Sequence, residues 1–412
     1  MARYETRSWP ADPTAPGGRA ERRSFRYQAF VPDPVAGLQL SLPSAVVAAV
    51  SSAERAVDAL NRDPPRMASL EVLARRLLRA ESVASSRIEG LVLSPRRLAR
   101  AEAEEDSSRD ETARSVLGNV AAMEEAIGLG AGAKPLRVKD VLALHRVLML
   151  ATTTPRIAGE LRTRQNWIGG NAYNPGRAVF IPPPPGHVAG LMDDLCVFMN
   201  RSDLPPVVQA AVAHAQFETI HPFADGNGRV GRAFIHVVLR RRGLAPRYVP
   251  PVSLVLAADA RAYVAGLTAF REGDAAGWCR LLAEAIERAA REASELATRL
   301  AELQEKWRER ASRPRSHSSA EALIVELPAH PIVTVATAQK LLGRSKQAVN
   351  EAIALLAEKG VLNAVSLAKR NRAWEARELF ALIDEVEREL ATPEGDAEPA
   401  RPAPRPKSRP KR

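Results

Sequence analysis

Apolar residues recur at helical spacing through most of the chain. Residues 43–127 read as helical throughout, with Leu70, Leu73, Leu77 and Leu78 forming one apolar stripe. A Gly/Ala-rich break at 128–132 precedes a further amphipathic helix over 138–150. The periodicity then fails. Residues 151–185 hold Gly169-Gly170, Asn174-Pro175-Gly176 and a run of prolines from Pro182, which predicts loops around a short hairpin near 178–181. Helices resume over 187–200, 206–219 and 227–242, the last stopped by Gly243 in the position after the C-cap. A single long helix over 277–312 carries Leu282, Ile286, Ala289, Ala293, Leu296, Leu300, Leu303 and Trp307 at spacings of four and three. Such a seam suits either a coiled-coil dimer or a helix packed onto its own domain.

Both ends differ from this helical body. Residues 1–30 are rich in Pro, Gly and Arg without periodicity and read as a flexible arm. After Arg313-Pro314-Arg315-Ser316 comes a unit over 318–390 with its own punctuation. A first helix covers 320–327, Thr334 caps a second that ends at Gly343, Ser345 caps a third stopped by Gly360, and strand-like residues follow from Val361. This order resembles a winged helix-turn-helix domain. Arg344, Lys346, Lys369, Arg370 and Arg372 would line its recognition helix and wing, so DNA is a candidate partner, as is protein docking. Residues 391–412 read as a disordered basic tail. The expected organisation is thus the arm, a helical region over 31–127, a core over 128–312, the C-terminal unit and the tail.

The chain of 412 residues has room for two or three domains, and no apolar run approaches the length of a membrane span. Residues 1–27 carry arginines but no apolar h-region, so no secretory signal is expected there. Cys196 and Cys279 stand far apart, which excludes a disulfide framework and a cysteine-ligated zinc site and suits a reducing cytoplasm. Of the net charge of +11, six positive charges fall within residues 401–412. Lysine is absent between Lys139 and Lys306, so a phosphate site in the central chain must use arginines and backbone amides rather than a P-loop or kinase-type lysine.

The stretch that satisfies this requirement is His221-Pro222-Phe223-Ala224-Asp225-Gly226-Asn227-Gly228-Arg229-Val230-Gly231-Arg232, set between two apolar-periodic helices. Glycines leading into a helix N-terminus make an anion cradle. Arg229 and Arg232, three apart, reach the same side. Asp225 is a hard oxygen ligand suited to Mg2+, and His221 can take a proton near neutral pH. These are the parts that phosphoryl or nucleotidyl transfer needs.

The run resembles the Fic family motif, HPFx(D/E)GNGRxxR, at every defined position. Gly159, Arg162, Gln165, Asn166, Trp167, Ile168 and Gly169, with Phe180 to Pro183, look like the family's flap segment. Ser85-Ser86-Arg87-Ile88-Glu89-Gly90 fits its inhibitory pattern (S/T)xxxE(G/N). The resemblance covers about 43–310 and implies a mainly α fold: a helical core with a short β-hairpin flap, here followed by the winged-helix unit. It implies AMP transfer from ATP to a Ser, Thr or Tyr hydroxyl of a protein target, the chain itself included. His221 would be the base and Asp225 the Mg2+ ligand. Amides of Gly226 to Gly228 and the Asn227 side chain would form the cradle, with Gly231 in the same nucleotide-binding run. Arg229 would hold the β-phosphate and Arg232 the γ-phosphate. Tyr263 would border the nucleoside, and Val179, Phe180 and Ile181 would align the target chain by strand addition. Glu89, held by Ser85, would pair with Arg232 and block productive ATP binding, with Gly90 closing the inhibitory motif. AMP removal, alone or alongside transfer, and a DNA-binding regulator that carries a Fic domain are the alternatives. A homodimer through the long seam stays open.

Overall fold

The helix that ends at His221 is apolar on every side, and a helix of that kind belongs in a core. In the computed structural model, which describes residues 2–16, 18, 22–62, 70–104, 110–368 and 371–391, it is α7 (Pro206–Ile220), buried from Val207 to Ile220. Helix α8 (Asn227–Arg241) packs on it, and both lie among α1 (Ser44–Arg62), α2 (Leu70–Ile88), α3 (Pro95–Ala103), α4 (Glu111–Ala131), α5 (Val138–Leu150) and α6 (Pro185–Met199) on one side of the sequence. Helices α9 (Val252–Ala258), α10 (Ala260–Arg271) and α11 (Ala275–Arg310) complete the core. No single helix among the described residues is long and apolar enough to cross a membrane.

The seam of α11 is covered by the chain itself. Leu282, Ile286, Ala289, Ala293, Leu300 and Trp307 are buried against α1, α7, α9 and α10 within the core and against the C-terminal unit. The seam is therefore not free to form a coiled-coil dimer.

Two segments depart from expectation. The break expected at 128–132 is absent: α4 runs on to Ala131, with Gly132 as its C-cap. The glycine at 130 serves helix contact instead, since a Cβ there would lie 2.9 Å from the Val237 carbonyl of α8. The arm over residues 1–30 holds an antiparallel hairpin, β1 (Arg3–Trp9) with β2 (Phe25–Val31), Tyr4 facing Phe30 and Trp9 facing Phe25. Its aromatic residues were hidden among arginines and prolines. They make edge-on ring pairs, Tyr4 with Phe30 and Trp9 with Trp167, each at 5.4 Å.

The C-terminal unit contains α12 (Ser319–Glu326), α13 (Val335–Leu342) and α14 (Lys346–Glu358), with β3 (Ile332–Val333), β4 (Asn363–Ala368) and β5 (Asn371–Glu375) in an antiparallel sheet of order β3-β5-β4. The side chains of Ser318, Thr334 and Ser345 cap the three helices, and Gly343 ends α13 in the left-handed conformation. The two-residue β3 and the final helix α15 (Arg377–Ala391) were not foreseen. Helix α15 returns to the core: Glu378 accepts from Trp307 Nε1 at 2.8 Å, and Glu387 pairs with Arg87 of α2 at 2.7 Å. Lys369, Arg370 and the tail from 392 lie outside the described residues.

Candidate active site

Helix α7 ends because His221 turns to a left-handed conformation, φ 49°, which throws the chain into a loop. Two side chains from the preceding loop region hold the turn: Arg162 Nε donates to the His221 carbonyl at 2.8 Å and Asn166 Nδ2 at 3.2 Å. Below the loop, Phe223 is fully buried and stacks on the imidazole of His145, ring centres 3.7 Å apart. His145 Nδ1 accepts from the Gly159 amide at 3.0 Å, so its proton sits on Nε2, facing the Asp225 carbonyl at 3.1 Å. Burial keeps this imidazole neutral by lowering its pKa to about 4. The loop is thus braced by a histidine that lay unnoticed in the apolar stripe of α5.

Asn227 opens α8, and its side chain is committed to the loop. Its Oδ1 accepts from the Phe223 amide at 2.8 Å and its Nδ2 donates to the Phe223 carbonyl at 2.9 Å. The expected contribution of this side chain to an anion cradle is therefore corrected: Asn227 shapes the loop, and its backbone amide is what it offers the cradle. The Gly226 amide likewise donates to Asp225 Oδ1, at 2.6 Å. The first amides of α8 remain as its N-terminal donors.

Glu89 lies over that N-terminus. Its Oε1 packs so tightly on Gly228 that a Cβ there would collide with it, and it accepts from Arg232 Nη2 at 2.8 Å. Burial works to raise the Glu89 pKa, but the charge and hydrogen bond of Arg232 prevail and hold the carboxyl below its usual range. Ser85 does not hold Glu89, contrary to expectation; one turn back on α2, it holds Arg232. Its hydroxyl accepts from Arg232 Nε at 2.9 Å and its carbonyl from Nη2 at 2.8 Å. The Arg232 side chain is 1% exposed, held by Ser85 of α2, by Glu89 just past its end and by Tyr263 of α10. Gly90, φ 81°, follows where α2 ends. Arg229 is tied to α4 through Ser115 Oγ at 3.1 Å, which the sequence gave no reason to expect.

His221 faces this anion pocket. Its side chain is 18% exposed. Burial first, then the charge of Arg162, lowers its pKa to about 4, so the imidazole is neutral at physiological pH and free to accept a proton. Asp225 stands at the mouth, 58% exposed, with Arg229 Nη2 at 3.8 Å. No group of three or more acids, histidines or cysteines able to hold a metal occurs among the described residues. One accessible carboxylate beside a phosphate cradle is a donor set that fits Mg2+, an ion commonly shared between a single carboxylate and substrate phosphates.

Tyr263 lies in the core. It stacks against His214 and gives its hydroxyl a partner in His214 Nε2 at 2.9 Å, and burial raises its pKa. In the flap, Ile168 and Phe180 form one antiparallel bridge rather than a full hairpin, and Val179 is 81% exposed. The Ile181 carbonyl accepts from the Phe30 amide of β2 at 2.9 Å, so part of the strand edge assigned to target docking is already paired with the chain's own hairpin. Arg271 lies over the Phe180 ring at 3.9 Å.

Comparison with known proteins places this site in context. Residues 135–239 match the Fic/DOC family model and residues 47–128 match the model of its N-terminal region. Proteins named protein adenylyltransferase Fic from Drosophila sechellia and Drosophila melanogaster are 35% identical over 156 residues, 37% of this chain. The chain spans 28% of the length of these relatives. A Fic family protein from Desulfovibrio desulfuricans G20 has a similar fold, with a TM-score of 0.51 at 22% identity, covering 82% of this chain and 97% of that one.

Proposed function

The chain is a Fic domain protein, and from that premise we propose that it transfers AMP from ATP to a Ser, Thr or Tyr hydroxyl of a protein and is held silent by Glu89. The observation that carries the reading is the Glu89 carboxylate, seated on the α8 N-terminus and paired with Arg232, beside a neutral His221. A carboxylate there stands in for an anionic oxygen of a phosphate chain. The same donors favour both, so they compete for one place.

In the transfer, His221 takes the proton of the target hydroxyl as its oxygen attacks the α-phosphorus. The bond to pyrophosphate breaks, and pyrophosphate leaves with the electron pair. The α8 amides and Arg229 hold the phosphates, and Arg232 joins them once Glu89 withdraws. Asp225 would hold Mg2+, which when bound neutralises phosphate charge. The target lies along Val179 to Ile181, beside the chain's own β2. The chain is itself a candidate target.

A charge-assisted bond such as Glu89 to Arg232 contributes about 1.5–3 kcal/mol. With the Glu89 side chain 38% exposed, screening favours the low end, and Glu89→Gly is expected to raise transfer at least about tenfold. Mass spectrometry after incubation with ATP and Mg2+ should find an adenylyl adduct on Glu89→Gly and little on the wild type. Equal labelling of the two would rule out inhibition by Glu89. An adduct that disappears from a pre-modified protein would instead favour AMP removal.

A second reading rests on the C-terminal unit, where the Ser345-capped α14 exposes Lys346, Gln347 and Asn350 with Arg344 alongside. We infer a duplex DNA contact along this face. A gel shift that weakens steeply with salt and is lost with Lys346→Glu is the expected result. A salt-insensitive shift, or none, would remove the reading.

A further inference from the structure

The last turn of α7 carries a second carboxylate that the reading above does not use. Glu218 is 7% exposed, with Oε2 at 3.9 Å from His221 Nδ1. Glu218 Oε1 is buried without a hydrogen-bond partner, and the His221 ring meets the Glu218 backbone carbonyl as well as its carboxylate. The carboxylate is held where it is by close packing: a Cβ on Gly231 would collide with Glu218 Oε1, and Phe217 lies beside it. A buried acid kept without donors and aimed at the base is costly unless it is used.

We propose that Glu218 is the positioning residue of the base: its backbone carbonyl meets the ring, and its carboxylate, 3.9 Å from Nδ1, balances the imidazolium formed when Nε2 takes the target's proton. The inference rests on the proposed transfer reaction. The proton passes from the target oxygen to Nε2, Nδ1 keeps its own, and the positive charge then sits between the two carboxylates that face it, Glu89 and Glu218. Transfer requires Glu89 to leave, and Glu218 alone remains. Arg162 and Arg271 both disfavour the imidazolium, so the need for that anion grows as the reaction proceeds.

The two carboxylates are also coupled. Burial raises the Glu218 pKa to about 7, the Arg232 charge opposes this, and Glu89 adds to it; Arg271 and Tyr263 of α10 face the same group. Withdrawal of Glu89 removes a like charge and lowers the Glu218 pKa, which increases its ionised fraction at neutral pH. Relief of inhibition and charging of the partner of His221 therefore occur together.

The experiment follows both groups in Glu89→Gly, with and without Glu218→Gln, an isosteric change. Transfer by Glu89→Gly should rise with pH through the Glu218 titration. Glu218→Gln should abolish that limb and lower kcat about ten- to hundredfold with the KM for ATP unchanged, and Glu218→Asp should restore part of the rate. Independently of activity, the imidazole nitrogen shifts of His221, followed by NMR between pH 5 and 8, should show a step near pH 7 in the wild type. That step should move lower in Glu89→Gly and disappear with Glu218→Gln. A step that survives Glu218→Gln, or an unchanged kcat and pH profile, overturns the proposal. If Glu89→Gly transfers no AMP but the step behaves as described, the pairing stands and the transfer reading falls.

Discussion

His221→Ala, placed in the Glu89→Gly background, is expected to lose about 10²–10⁴ of the transfer rate while ATP binds as before. The separation follows from where the imidazole lies. In the proposed reaction the phosphates would be held by the α8 amides and by Arg229 and Arg232, which hydrogen-bond to Ser115 and Ser85 on other helices. None of these contacts passes through the His221 side chain. The loop's shape does depend on residue 221, but through its carbonyl, which accepts from Arg162 and Asn166 and is kept by alanine. The left-handed backbone at 221 costs a non-glycine residue about 1 kcal/mol, a cost that histidine already bears. Calorimetric titration with ATP and a labelling assay on the same preparation check the prediction. A parallel loss of ATP affinity would show that His221 builds the nucleotide site and would remove it as the base.

The division between what was legible in the sequence and what was not follows from the range of each interaction. Helix positions and caps come from local periodicity, so Thr334, Ser345, Gly343 and the ends of α7 and α8 were readable. The contact between Glu89 and Arg232 was anticipated only through the family motif, since the residues are 143 apart. What stayed hidden is which donor meets which acceptor. The family resemblance implies an Asn227 side chain in the anion cradle, yet that side chain closes its own loop. Ser85 was placed against Glu89 because one turn separates them, yet its oxygen faces across to α8. Residues 128–132 read as a break, because sequence alone does not distinguish a glycine that ends a helix from one, such as Gly130, that lets another helix approach. The hairpin of β1 and β2 escaped for a related reason: its Trp9 and Phe30 pack on Trp167 and Phe180 of the flap region, far along the chain.

Glu81→Ala is expected to cost about 3–5 kcal/mol of folding stability, a large share of a typical margin, and to raise basal transfer as well. Glu81 and Ser85 on α2 and Glu89, one residue past its end, are spaced by four and meet His236, Arg232 and Gly228, also spaced by four, on α8. In the proposed reaction the rungs at Arg232 and Gly228 would govern the phosphate site, while the third would hold the helices in register. Glu81 is fully buried, its Oε1 at 3.0 Å from His236 Nε2 and accepting from Ser253 Oγ, its Oε2 accepting from the Ser253 amide at 2.7 Å. His236 and Ser253 are 0% exposed, so no water replaces the lost acceptor, and the amide and hydroxyl of Ser253 are left without partners at once. Glu81→Gln keeps one acceptor oxygen and should cost clearly less. Urea denaturation measures the stability term. The register term is read from transfer, because Glu89 directly follows α2: a loosened α2 frees Arg232 part of the time, so Glu81→Ala should raise labelling in the otherwise wild-type chain but not in Glu89→Gly, where no carboxylate remains to be displaced. A stability loss below about 1 kcal/mol would mean the buried pair contributes little, and an equal gain of labelling in both backgrounds would mean that Glu81 acts on the site by a route other than the inhibitory helix.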